Sequence, residues 1–122
     1  MANELTLSTS MSFAKGTIPA HTLSEAGKFV SVTGSKFFHN VQAVGTSEEA
    51  LLLGDVTAGG HIMLINRDST NFVNVKVATA GAIFAKLKPL ESMRLRLGSG
   101  ATAPFVIADT ASCNVEVFAV ED

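Results

Sequence analysis

Few residues in this chain could carry out a reaction, and their spacing argues against one. The three histidines, His21, His39 and His61, fall in three separate segments, without the close spacing of a zinc site. His39 alternates with Phe37 and Val41, which predicts a hydrogen-bonded, partly buried imidazole rather than a ligand. Cys113 is the only cysteine, so neither an internal disulfide nor a multi-cysteine metal site can form. It alternates with Val115 and Val117, as a buried, inert thiol would. Asp55, Asp68 and Asp109 each fall in a turn, where aspartate accepts bonds from nearby backbone amides. Glu48 and Glu49 are adjacent, so on a strand they point apart and make poor acid–base partners. No nucleophile elbow, phosphate loop or calcium loop is present. The expectation is a protein without enzymatic activity, cofactor or metal.

The richest local pattern is basic. Four of the nine Lys and Arg residues lie between Lys86 and Arg96, around the corner Lys88-Pro89-Leu90-Glu91. Read as a hairpin with Pro89 to Glu91 as its loop, Lys86 faces Arg94, Phe84 faces Arg96, and Leu87 faces Met93. That register puts the apolar set on one face and the cations on the other. Two readings follow: a solvated outer face, or a docking face for an acidic partner made of Phe84, Lys86, Lys88, Leu90, Arg94 and Arg96. A Phe84–Arg96 cation–π contact suits either.

The elements that would hold these residues are strands. Leu5 to Phe13 alternates apolar residues with serine and threonine, and Asn114 to Ala119 alternates in the same way. A period of two buries one strand face and exposes the other. Strands are expected at 28–33, 36–44, 61–66, 72–77, 83–87, 92–97, 105–108 and 113–120. A short helical turn is the best expectation for Thr22 to Gly27. The segment 61–66 is almost continuously apolar, as for a strand covered on both faces. Asn66 to Asn71 reads as a hairpin turn with 72–77 returning, and Asp109-Thr110 as another turn. Nine or ten short strands at regular spacing predict an all-β, antiparallel β-sandwich, jelly-roll-like, as one domain over residues 1–122.

Bulk composition narrows the partners. The formal net charge is −2, from 11 acidic and 9 basic residues, whereas a phosphate backbone calls for a basic surplus. No nucleic-acid partner is expected. The start, Met1 to Leu5, lacks the basic lead and apolar run of a signal peptide, and no stretch reaches a membrane span. Neither export by the general route nor a membrane partner is expected. The 47% apolar content and high mean hydropathy leave more apolar surface than one small core hides, which predicts a subunit interface. With neither tryptophan nor tyrosine, sugar stacking starts at a disadvantage.

Several segments resemble a family of small tailed-bacteriophage virion proteins. The matching residues are Leu53-Gly54-Asp55-Val56, Ile62 to Val73, Leu87 to Glu91, Ala108 to Ala111 and Val117 to Asp122. Phe37-His39-Asn40 and Thr46 to Leu51 are similar to its front half. The resemblance implies a capsid decoration (cement) protein, made in the host cytoplasm and carried on the virion. Its partners would be its own copies, as a trimer, and the major capsid protein. The alternative it leaves is a tail, fibre or head–tail accessory protein with a binding tip. The family's turn reads Lys-Pro-Gly-Glu, whereas Leu90 stands here in place of the glycine. A type II turn favours glycine there, so a type I turn or longer loop is expected, with Leu90 as a candidate contact point.

Overall fold

A computed structural model describes residues 4–56, 60–98 and 103–122. Its strands are β1 (Leu5–Lys15), β2 (Ile18–Val30), β3 (Phe37–Val44), β4 (Glu49–Ala50), β5 (His61–Asn66), β6 (Val73–Lys76), β7 (Ile83–Leu87), β8 (Ser92–Arg96), β9 (Phe105–Ala108) and β10 (Cys113–Val120). All pairings are antiparallel and no helix occurs among the described residues. The fold is all-β and antiparallel, as the alternation predicts. The chain divides into two compact units, Met1–Thr33 and Gly34–Asp122.

The first unit is a ribbon of β1 and β2. The helical turn expected at Thr22 to Gly27 is instead continuous strand, because each of Thr22 to Glu25 takes a partner on β1. The pairing skips a residue of β2 between Glu25 and Lys28, where Gly27 has φ +65° and its N–H donates to Ser8 Oγ at 3.1 Å. That is a bulge with glycine in the left-handed region, which an L side chain would resist. The strand expected at 28–33 ends at Val30.

The second unit holds two four-stranded sheets. Sheet I has the order β3-β10-β5-β8 and sheet II the order β4-β9-β6-β7. Inward residues of both contribute to one core: Val44, Ile62, Leu64, Val115, Val117 and Ala119 from sheet I, with Val73, Val75, Leu87, Val106 and Ala108 from sheet II. Each fully buried valine or leucine contributes about 1.5–3 kcal/mol of transfer free energy, so this shared layer dominates the stability. Cys113 is fully buried in it, and burial raises its thiol pKa, as expected of an inert cysteine.

From β3 to β10, every connection except β6–β7 passes from one sheet to the other. Two expected hairpins are therefore corrected. Asn66 to Asn71 does not return the chain beside β5: β6 pairs with β7 and β9 in sheet II. Likewise β7 and β8 do not pair with each other. Turn-forming residues mark where a chain reverses, not which sheet receives it.

Asn66 explains how these crossings are held. It is fully buried, and its side-chain amide donates to the carbonyls of Asn71 (3.0 Å), Leu87 (3.1 Å) and Lys88 (3.3 Å). Its Oδ1 accepts from the Asp68 N–H at 3.0 Å, and its own N–H donates to Glu91 O at 2.9 Å. One asparagine thus satisfies backbone groups of two crossings, the buried Leu87 carbonyl among them. Asp68 caps the same loop, accepting from the N–H groups of Thr70 and Asn71, which lowers its pKa.

Candidate partner-docking surface

The outer face of sheet I is built in register across four strands. One row runs Phe37, Val120, His61, Arg96; the next runs His39, Phe118, Met63, Arg94; the third runs Val41, Glu116, Ile65, Ser92. Phe37 (69% exposed) and Val41 (50%) on the edge strand β3, with Phe118 (39%) and Met63 (38%) on the central strands, leave apolar side chains of this face open to solvent. The expectation that β5 is covered on both faces fails at Met63. The Phe37 and Phe118 rings meet edge to face, with centroids 6.4 Å apart at 79°, and the His39 ring lies 5.4 Å from Phe118.

Charged groups frame these rings. Glu116 accepts from Arg67 Nε at 2.7 Å and lies 2.6 Å from His39 Nε2. These two partners, His39 first, hold its carboxyl below the ordinary range. His39 is hydrogen-bonded as expected, yet half of its side chain is exposed. At the β8 edge, Arg96 bonds both Asp122 and His61 Nε2, the latter at 2.9 Å. Burial, then Arg96 and Arg94, lowers the His61 pKa, so the neutral ring accepts the guanidinium hydrogen bond through Nε2.

The strand pairings divide the basic set read from the sequence. Arg94 and Arg96 belong to the sheet I face, opposite Met63 and His61. Lys86 pairs with Asn74 in sheet II and rests its Nζ 3.7 Å over the Phe72 ring. Phe84, half exposed, is on β7 with Lys86. The expected register of Lys86 against Arg94, Phe84 against Arg96 and Leu87 against Met93 is thereby corrected. Each strand finds its partners within its own sheet. The cation–π pair that forms is Lys86–Phe72, because β6 rather than β8 runs beside β7.

Lys88 and Leu90 lie in the turn between those strands. The Glu91 N–H donates to Lys88 O at 3.0 Å, and Leu90 has φ +67°. Proline at the second position excludes the mirror-image turn, so a left-handed third residue defines type II. The type I turn or longer loop expected here is not what forms: the tie from Asn66 to Lys88 O fixes the path, and Leu90 adopts the glycine conformation. Its side chain is 66% exposed at the tip.

Glu48 and Glu49 point apart, as expected. Glu49 receives Gln42 Nε2 at 2.9 Å and the Gly45 N–H at 3.1 Å. Glu48 pairs with Lys76 and accepts from Thr79 Oγ1 (2.6 Å) and the Ala80 N–H (2.8 Å). These bonds, Lys76 first, lower its pKa to about 2. Among the described residues no group of three or more His, Cys, Asp or Glu could hold a metal ion.

Comparison with protein-family models, curated proteins and solved structures found no match. Phe37, Val41, Met63 and Phe118 are not among the docking residues expected from the sequence. Phe37, His39 and Val41 could be placed on one face from the alternation alone. The rows that join them to Met63 and Phe118 exist only once β10 lies between β3 and β5.

Proposed function

We propose that this chain is a bacteriophage virion structural protein, a capsid decoration (cement) protein that docks on the major capsid protein and stabilises the head. The supporting observation is the outer face of sheet I, which exposes Phe37, Val41, Phe118 and Met63 and carries Arg94 and Arg96 on its β8 edge, Arg94 directly opposite Met63. Exposed apolar side chains with cations along the β8 edge suit burial against a protein partner, the cations giving orientation. The strand orders β3-β10-β5-β8 and β4-β9-β6-β7, with crossings between sheets, support a jelly-roll sandwich as the scaffold. In this reading each contact is weak, and many copies on a repeating lattice multiply the effect. Association of the chain with itself and synthesis in the host cytoplasm belong to the same reading.

The test is co-sedimentation of purified protein with particles stripped of it. V41E combined with R94E is expected to abolish binding, while K86E, on sheet II, leaves it unchanged. Equal binding by the sheet I variant and the wild type would exclude this face as the contact.

A further inference from the structure

The ribbon of β1 and β2 poses a problem that its own residues do not solve. A two-stranded hairpin is marginal in water at best, and three or more strands are needed for independent stability. Every residue of this ribbon is exposed except Leu5, Leu7 and Val30, which are half-buried. Its register nevertheless sorts the side chains. On β1, Leu5, Leu7, Met11 and Phe13 share one face, opposite Val30, Lys28, Leu23 and His21 of β2, while Thr6, Ser10 and Ser12 share the other with Phe29, Ser24 and Thr22.

The two open edges differ. The β2 edge carries Pro19, His21, Glu25, the bulge at Gly27 and Lys28. Charge, proline and bulges are what discourages another strand from adding to an edge. From Leu5 to Ala14, β1 has no charge, no proline, no glycine and no bulge. Long, uncharged and regular, it is the edge that accepts a further strand.

The sequence of β1 also complements its own reverse. Antiparallel pairing about Thr9 sets Leu7 opposite Met11 and Leu5 opposite Phe13 on the apolar face. On the polar face it sets Ser8 opposite Ser10 and Thr6 opposite Ser12. A shift by one residue would mix the two faces.

We infer that two copies of this chain join through β1, edge to edge about a two-fold axis at Thr9, forming a four-stranded sheet in the order β2-β1-β1-β2. Pairing lifts the strand number above the stability minimum and sets the apolar rows of the two β1 strands side by side. The contact is isologous, with the same strand on both sides, so it closes at two copies where the family resemblance implies three. It rests on the self-association part of the proposed function and is independent of capsid docking.

The experiment measures the mass of the purified full chain by sedimentation equilibrium, for wild type and Thr9→Lys. Within one copy the introduced ammonium would face Glu25, a favourable pair, whereas across the axis it would face its own counterpart. Wild type is expected at twice the chain mass and T9K at the single-chain mass, with an equimolar mixture of T9K and T9E restoring the dimer. Thr9→Cys is expected to cross-link copy to copy on oxidation, and Ser24→Cys, on β2, is not. A monomeric wild type would overturn both this inference and self-association. An oligomer that T9K leaves intact, or that T9C fails to cross-link, would overturn this inference alone.

Discussion

Asn66 on β5 and Leu87 on β7 lie in different sheets, yet the Asn66 amide donates to the Leu87 carbonyl at 3.1 Å from a fully buried position. The same amide serves Asn71 and Lys88, so one side chain ties the β5–β6 crossing to the β7–β8 crossing.

Asn66→Ala removes those donors, among them the partner of the buried Leu87 carbonyl, and a buried group that loses its partner costs about 1–3 kcal/mol. A loss of roughly 2–4 kcal/mol in urea denaturation is expected on that basis. Asn66→Asp should lose more, because a carboxylate would then face the same carbonyl groups.

Leu90 holds a φ that costs an L residue about 1–2 kcal/mol. Leu90→Gly removes that strain and loses part of the gain to greater chain entropy in the unfolded state. A net stabilisation of about 0.5–1 kcal/mol is expected in thermal unfolding. Leu90→Ala keeps the Cβ and should not gain. Equal stability of the Gly and Ala variants would mean that the turn relaxes in solution.

Glu48 titrates at about 2, below the 4.5 of an ordinary glutamate. A carboxyl whose folded pKa is depressed stabilises the fold above the unfolded pKa and loses that contribution as pH falls through the folded one. The stability gap between wild type and Glu48→Gln should therefore be complete at about pH 6–7 and close progressively as pH falls from 4.5 to about 2. Glu116, whose pKa is also lowered, shifts the wild-type curve in the same direction.

Strands were legible in this sequence where one face is buried throughout. On β10, Cys113, Val115, Val117 and Ala119 are fully buried, as their alternation implies. The two crossings at Asn66 and Pro89 were not legible, because Asn, Asp and Pro favour a reversal of direction whether or not the strands pair afterwards. The split of Lys86 from Arg94 follows from the same ambiguity. Thr22 to Gly27 lacks strict alternation because Glu25, opposite Thr9, falls on the face of Leu23 and a bulge at Gly27 follows, and that hid the strand. Phe118 alternates outward on β10, but its meeting with Phe37 and Met63 depends on strand order, which periodicity does not encode.

The virion reading is tested most directly by a cryo-EM reconstruction of the intact particle that carries this chain. β-rich density is expected on the outside of the head, in fixed ratio to the shell subunits, with the Phe37, Val41, Met63 and Phe118 face against them. Finding the chain only at the tail or in a few copies, or with that face turned to solvent, would contradict it.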